Sequence, residues 1–152
     1  MIEVQLTVGD FQLELYVDGY EFPDFDTGRD ANTLACEIEL DLRRRLDLHA
    51  AHTLILDASE LASFVDQLRA LEHAQDGEAA FGDPDAESGD EFGLTIQIKN
   101  GRGTLDGFLA DNAAARLSFE TIDIDQAFLH DALAQFAAII EAFPVRGDTT
   151  AD

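Results

Sequence analysis

Alternation of apolar and polar residues dominates the first half of the chain and predicts β-strands. Residues 2–8 and 11–17 alternate on either side of Gly9-Asp10, which is typical of a hairpin with one apolar and one polar face. Residues 19–31 are rich in turn formers and predict a loop, and residues 33–43 carry the cleanest alternation in the chain. Arg44 falls on the apolar parity, so we expect the pairing to break there, before a short strand at 53–56.

Helical spacing follows, and then the plan repeats. A helix is predicted over about 58–74, with Asp57 or Ser59 as its N-cap. Residues 76–91 hold many acids and no base, which favours a solvated loop that is mobile at its centre. Strands are predicted at about 93–99, 103–110 and 115–122, with Asn100-Gly101 as a hairpin turn. A second helix, capped by Asp123 or Asp125, spans about 125–143 and stops at Pro144.

These elements predict an α+β fold. We expect a mainly antiparallel sheet of about seven strands with two amphipathic helices packed on one face. Residues 1–146 are assigned to a single domain and residues 147–152 to a frayed C-terminal tail. The two halves share a pattern rather than residues, so an internal duplication stays open. Strand order and oligomeric state also stay open.

Net charge narrows the class of partner. The chain has 32 acidic and 9 basic residues, a formal net charge of −23. Nucleic acids and anionic membrane surfaces are excluded as partners, because binding them requires Lys and Arg. A cation or a basic macromolecule suits such a surface. The same acidity also fits a protein adapted to a saline or GC-rich host, a stand-alone domain with a housekeeping or small-ligand role.

The remaining composition favours a soluble cytoplasmic protein. Hydrophobic residues make up 46% of the chain, which is too many for a disordered acidic tail. Cys36 is the only cysteine and lies on an apolar parity, so it reads as a core residue in a reducing compartment. We see no apolar run long enough to span a membrane and no secretory signal.

Motifs for catalysis, cofactors and metals are weak. No nucleophile elbow or phosphate-binding glycine loop occurs, so we expect a protein that is not an enzyme and uses no cofactor. Asp83, Asp85 and Glu87 alternate as in a calcium loop, but the EF-hand needs Gly at its sixth position and Glu at its twelfth. Ser88 and Leu94 stand there instead. No metal site is assigned, and a calcium-responsive loop stays as a minor alternative.

Recognition has three candidate surfaces: the outward side of the strands and the two acidic loops. The sheet face left without helices would be solvated by default, but it also suits docking of Lys and Arg around aromatic anchors. Loops commonly carry recognition residues. The candidate partner-binding residues are Tyr16, Asp24, Asp26, Asp30, Glu37, Glu39, Asp41, Asp83, Asp85, Glu87 and Phe108.

One stretch resembles a known family. Gly19-Tyr20-Glu21-Phe22-Pro23, followed by Asp30-Ala31-Asn32-Thr33-Leu34 at the start of an alternating strand, is similar to the N-terminal half of WapI-type immunity proteins of bacterial polymorphic toxin systems. Thr33 departs from the aromatic residue of that pattern. The resemblance implies a cytoplasmic protein that binds the C-terminal domain of a cognate toxin, often a basic nuclease, and occludes its active or substrate-binding surface. It implies no catalytic residues.

Overall fold

The computed structural model describes residues 1–111 and 115–147, and it contains two antiparallel four-stranded sheets. The first has the order β1-β2-β3-β4 and the second β5-β6-β7-β8, and each is followed by a helix along the chain. The α+β class, with two helices and antiparallel strands, is confirmed. The prediction of one sheet of about seven strands is wrong, because eight strands divide evenly between two sheets.

The element bounds are as follows. The first sheet comprises β1 Ile2–Val8, β2 Phe11–Tyr20, β3 Thr33–Arg43 and β4 Asp47–Asp57, and α1 spans Ala58–Ala74. The second comprises β5 Gly77–Phe81, β6 Phe92–Lys99, β7 Arg102–Asp111 and β8 Ala115–Ile124, and α2 spans Gln126–Ala142. The short strand predicted at 53–56 is therefore the second half of a longer strand. Residues 44–46 turn the chain at the predicted break.

Contacts within the chain group it into two compact units. One comprises Met1–Ala62 together with the described residues from Ala134 onward, and the other comprises Ser63–Leu133. In the first unit, Gln135 of α2 binds both backbone groups of Gln5 on β1. In the second unit, Phe64 of α1 packs on Phe81 of β5, with ring centroids 5.9 Å apart. Each helix thus contacts a different sheet, unlike the predicted pair of helices on one face.

In each unit, the apolar residues at alternate strand positions form the core. In the first sheet the buried side chains come from the alternating positions of β1 to β3, and they include Phe11, Leu13, Leu15, Ile38 and Leu40. In the second unit, Leu94, Ile96 and Leu105 are buried in the same way, as are Phe64 and Leu68 of α1. The opposite parity of each strand faces outward, so the sequence pattern decides which side chains each sheet can offer a partner.

Local capping explains where both helices begin. The Asp57 carboxylate accepts the Ser59 backbone N–H at 2.7 Å, and the Asp125 carboxylate accepts the Phe128 N–H at 2.8 Å. Each bond satisfies a backbone donor that the first helical turn leaves without a partner. Of the two N-caps predicted for each helix, Asp57 caps α1 and Asp125 caps α2.

A tight turn and a bulge shape the second sheet. Asn100 and Gly101 both have positive φ, 55° and 77°, as a two-residue hairpin turn of the predicted kind requires. Between β7 and β8 the register shifts near Asp106, whose carboxylate accepts the Thr121 N–H at 2.6 Å. Thr121 has a φ of 56°, unusual for a β-branched residue, so this bond helps to hold a strained backbone.

Candidate partner-binding surface

The strand register of the first sheet gathers acidic side chains on its outward face. Tyr16 lies between Glu3 and Glu37, while Glu14 lies opposite Glu39. Asp41, one step further along β3, lies opposite His49 of β4. We call this set the carboxylate face of the first sheet: Glu3, Glu14, Glu37, Glu39 and Asp41.

Like charges meet directly on the carboxylate face. Glu14 and Glu39 are register partners on neighbouring strands, an arrangement that destabilises a sheet by repulsion. The Tyr16 hydroxyl donates a hydrogen bond to the Glu14 carboxylate. That bond, with smaller contributions from desolvation and the nearby carboxylates, raises the pKa of Tyr16 to about 12. The phenol therefore remains a neutral donor at physiological pH.

Positive charge enters this face only at its end. His49 Nδ1 lies 2.7 Å from an Asp41 carboxylate oxygen, and this hydrogen bond raises the pKa of the imidazole. Arg43 follows Asp41 on the same parity of β3. The centre of the carboxylate face, around Glu14, Glu37 and Glu39, has no Lys or Arg on the outward positions of these strands.

A shallow depression of about 330 Å³ opens on the same side of the sheet. Its lining combines a phenol ring, two carboxylates, an imidazole, an isoleucine and two small side chains of β4, and comprises Tyr16, Glu37, Ile38, Glu39, Ala51, His52 and Thr53. A depression bordered by carboxylates and an aromatic ring suits a cationic side chain, which gains both charge and cation–π attraction there. The predicted contacts Tyr16, Glu37, Glu39 and Asp41 are thus brought together.

The three acids predicted in the first loop lie elsewhere. Asp24, Asp26 and Asp30 are exposed in the segment that joins β2 to β3. Phe25, between two of them, is 48% exposed although it is a large apolar side chain. This segment therefore offers a second surface, with both charge and apolar area.

Arg146, in the segment that follows α2, is attached to that loop. Its guanidinium donates to the carbonyl oxygens of Phe22 at 2.9 Å, Pro23 at 2.8 Å and Ala31 at 2.6 Å. It also lies 3.6 Å from the centroid of the Tyr20 ring. Sequence reasoning missed this residue, and the available signal was an arginine placed just after the helix-stopping Pro144.

Asn32 completes the same attachment. It is fully buried, donates to the Arg146 carbonyl at 3.0 Å and accepts the Arg146 N–H at 2.6 Å. The backbone of Arg146 is thus paired as it would be in a sheet, which leaves the guanidinium to the loop carbonyls. We call this arrangement of Tyr20, Asn32 and Arg146 the C-terminal clasp.

The second acidic loop uses its carboxylates on its own backbone. Asp83 accepts the Asp85 N–H at 2.9 Å, Asp85 accepts the Glu87 N–H at 3.0 Å, and Asp90 accepts the Asp83 N–H at 2.7 Å. The predicted solvated loop over 76–91 is therefore wrong for residues 77–81, which form β5. The remaining segment before β6 is a loop with a self-capped turn, in which Asp83, Asp85 and Glu87 are exposed. Glu87 is exposed, and its backbone N–H rather than its carboxylate takes part.

Phe108 differs from the exposed anchor that was predicted. Its parity is outward, but the residue is only 4% exposed. The ring covers Gly93, its register partner, and the Arg116 guanidinium lies 4.5 Å from its centroid. Arg116 also donates to the Pro84 carbonyl oxygen, which joins the acidic loop to the sheet.

Neither a metal site nor a reactive cysteine is found in the described part of the chain. Residues 1–111 and 115–147 hold no group of three or more His, Cys, Asp or Glu side chains suited to a metal ion. Cys36 is buried, and burial raises the pKa of its thiol to about 12, so it lacks the thiolate character of a nucleophile. None of the helices in the described ranges is long and apolar enough to cross a membrane.

The comparison with known families decides where the chain belongs. The Immunity protein WapI-like family matches residues 5–144, nearly the whole of the described chain. This chain belongs to the WapI-like immunity protein family. The resemblance seen in the sequence is therefore confirmed, and a toxin-related immunity role follows at the level of the family.

Solved structures show where the fold of this WapI-like protein recurs. The plant transcriptional regulator PBF-2 aligns with a TM-score of 0.55 and 12% identity, covering 92% of this chain and 88% of its own. WHY1 from Arabidopsis thaliana aligns with a TM-score of 0.56 and 10% identity, covering 95% and 85%. At these identities the likeness shows the fold alone. No curated protein matches the sequence.

The motif that first suggested the WapI-like family has a structural role in this chain. Arg146 contacts five residues of this motif. Its guanidinium lies over the Tyr20 ring and donates to the carbonyl oxygens of Phe22, Pro23 and Ala31. Its backbone pairs with the Asn32 side chain. The motif therefore builds the C-terminal clasp and fixes the shape of the loop that it encloses.

Proposed function

We propose that this chain is a stoichiometric immunity protein that binds a cognate toxin domain and covers its active or substrate-binding surface. It acts by binding, with no cofactor and no catalysis of its own. Membership of the WapI-like immunity protein family supports the toxin-related role. The toxin acts inside the cell in this proposal, so the protein that neutralises it belongs in the cytoplasm.

The carboxylate face carries the proposal. Glu14 and Glu39 stand opposite one another in the register, with Glu3, Glu37 and Asp41 around them. This concentration of like charge costs stability in the free protein, whereas a basic partner turns the same charges into attraction. The Tyr16 phenol at its centre supplies an amphipathic ring of the type enriched in interface hot spots.

A basic toxin domain is the partner that fits this charge. Nucleases are one such class, because they hold nucleic acid phosphates with Lys and Arg. A carboxylate-rich protein competes for that surface and is drawn to it by long-range attraction. The same net charge of −23 repels nucleic acid and anionic lipid, so neither is proposed as a partner.

The proposal is tested with the variable C-terminal domain of the large toxin protein expected to be encoded directly upstream of this chain. We would purify that domain in a catalytically inactivated form and measure its Kd for the wild-type chain and for the double variant E37Q/E39Q. Loss of two interfacial charges predicts at least about tenfold weaker binding at low salt. Active toxin should likewise be inhibited less by E37Q/E39Q than by the wild-type chain.

A matched control removes the same charge from the other sheet. Glu78 of β5 and Glu120 of β8 are exposed strand glutamates, so E78Q/E120Q has the same net charge as E37Q/E39Q. We expect its Kd to stay within about twofold of wild type, since charges outside the interface act only through screened fields. Failure of the wild-type chain to bind or inhibit the upstream toxin domain would overturn the proposal.

A further inference from the structure

A short turn displays two aromatic rings at the surface of the first unit. The Phe25 N–H donates to the Phe22 carbonyl at 3.1 Å, which closes a β-turn with Pro23 and Asp24 at its centre. Pro is favoured at the first of these two central positions, because its φ is already set for the turn. The turn stacks the Phe22 and Phe25 rings, with centroids 5.1 Å apart and planes 19° from parallel.

The turn is held rigidly from beneath. Arg146 donates to the carbonyls of both Phe22 and Pro23, the first two residues of the turn. Gly147 lies so close to the carbonyl of Asp26, the residue after the turn, that a Cβ would stand 2.1 Å from the oxygen. A contact residue that is already ordered loses less entropy on binding.

Charge surrounds the exposed ring. Asp24 and Asp26 flank Phe25 in the chain and both are exposed, as is Asp30 further along the loop. The Arg146 guanidinium donates to the backbone carbonyl oxygens of Phe22, Pro23 and Ala31. A half-exposed aromatic ring within a rim of acids has the make-up of an interface anchor: an apolar centre inside a charged border.

We infer that Phe25, presented by the C-terminal clasp, is an aromatic anchor that enters an apolar recess on the basic surface of the toxin domain, where Lys or Arg side chains at the rim meet Asp24 and Asp26. This inference rests on the proposed function and adds a second contact to it. The anchor supplies residence time through a desolvated contact, while the carboxylates favour fast and correctly oriented encounter.

The test compares F25A with L46A against the same inactivated toxin domain. Leu46 is another exposed large apolar side chain, 64% exposed in the turn between β3 and β4, and it serves as the matched truncation. We expect F25A to raise Kd at least about tenfold, chiefly through faster dissociation, as hot-spot truncations do. L46A should stay within about twofold of wild type. Thermal unfolding of both variants checks that the fold is kept.

Charge at the rim gives an independent readout. D24N/D26N should slow association and flatten its dependence on salt, because steering charges act on the on-rate.

F25A binding like wild type, while E37Q/E39Q weakens binding, would overturn the anchor and leave the proposed function standing. A wild-type chain that does not bind the toxin domain overturns both. Loss of a self-associated form in F25A without change in toxin affinity would assign the ring to contact between copies and also overturn the inference.

Discussion

Asn32 and Arg146, which are 114 positions apart in the chain, pair as if they belonged to neighbouring strands. The Asn32 side-chain N–H donates to the Arg146 carbonyl oxygen, and the Asn32 side-chain oxygen accepts the Arg146 backbone N–H. Because Asn32 is fully buried, no water can replace either bond. These two bonds therefore join the loop between β2 and β3 to the segment that follows α2.

We expect N32A to lower the free energy of unfolding by about 1 to 3 kcal/mol, because it leaves backbone groups of Arg146 without their buried partner. Urea denaturation measures the change. The control Q97A removes an exposed amide from β6 and should be close to neutral. An N32A protein as stable as Q97A would show that the pairing does not contribute.

The guanidinium of Arg146 gives a second prediction, because its fork contacts several carbonyls at once. R146K keeps the charge but cannot span Phe22, Pro23 and Ala31 together or stack in the same way on Tyr20. We expect a loss of about 1 to 2 kcal/mol in unfolding free energy. R102K, at the exposed first residue of β7, is the matched exchange and should leave stability unchanged. Equal stability of the two variants would contradict this role.

The alternation of apolar and polar residues allowed the faces of the first sheet to be predicted from the sequence. Most outward residues of β2 and β3 have polar side chains, so parity alone placed Tyr16, Glu37 and Glu39 on one face. Their adjacency required the strand order, which sequence does not contain. The C-terminal clasp was beyond reach for a related reason: its partners are more than 100 residues apart, and nothing local marks Asn32 as buried.

The second half misled sequence reasoning at two points. β5, Gly77–Phe81, has one acid and small alanines, so it was absorbed into the acidic stretch that surrounds it. Without it, the count fell to seven strands, and the second half was given three strands before its helix instead of four. Phe108 was assigned to the correct parity, but the ring is covered because it lies over Gly93, where a side chain is lacking.

The Glu14–Glu39 pair predicts how stability responds to salt. Repulsion between register partners is strongest at low ionic strength, so E39Q should raise the unfolding free energy there by about 0.3 to 1 kcal/mol. In about 1 M salt the gain should largely vanish, since the screening length is then only about 3 Å. Urea denaturation at both salt concentrations measures it.

E78Q is the control for that pair, because Glu78 stands opposite Gln97 rather than another acid. The same titration separates the proposed function from salt adaptation. A salt-adapted domain should unfold when salt is withdrawn, whereas a toxin-neutralising protein should stay folded and bind its partner most tightly at low salt. Unfolding of the wild-type chain at low salt would favour the housekeeping alternative.

Ionisation of Tyr16 gives a prediction with a defined pH window. Its pKa is raised from 10.0 to about 12 in the folded protein, first through the hydrogen bond to Glu14. A group whose folded pKa exceeds its unfolded value contributes stability below the unfolded pKa and loses it as pH rises through the folded one. The contribution from Tyr16 should thus be present below pH 10 and disappear between about pH 10 and 12.

Absorbance of tyrosinate, recorded as the difference between wild type and Y16F, isolates this group from Tyr20, the other tyrosine of the chain. In E14Q the titration should move down toward pH 10, because the carboxylate that holds the phenolic proton has been neutralised. E78Q removes a carboxylate from the other sheet and should leave the curve unchanged. A Tyr16 titration that stays near pH 12 in E14Q would show that the hydrogen bond to Glu14 is not the main cause of the raised pKa of Tyr16.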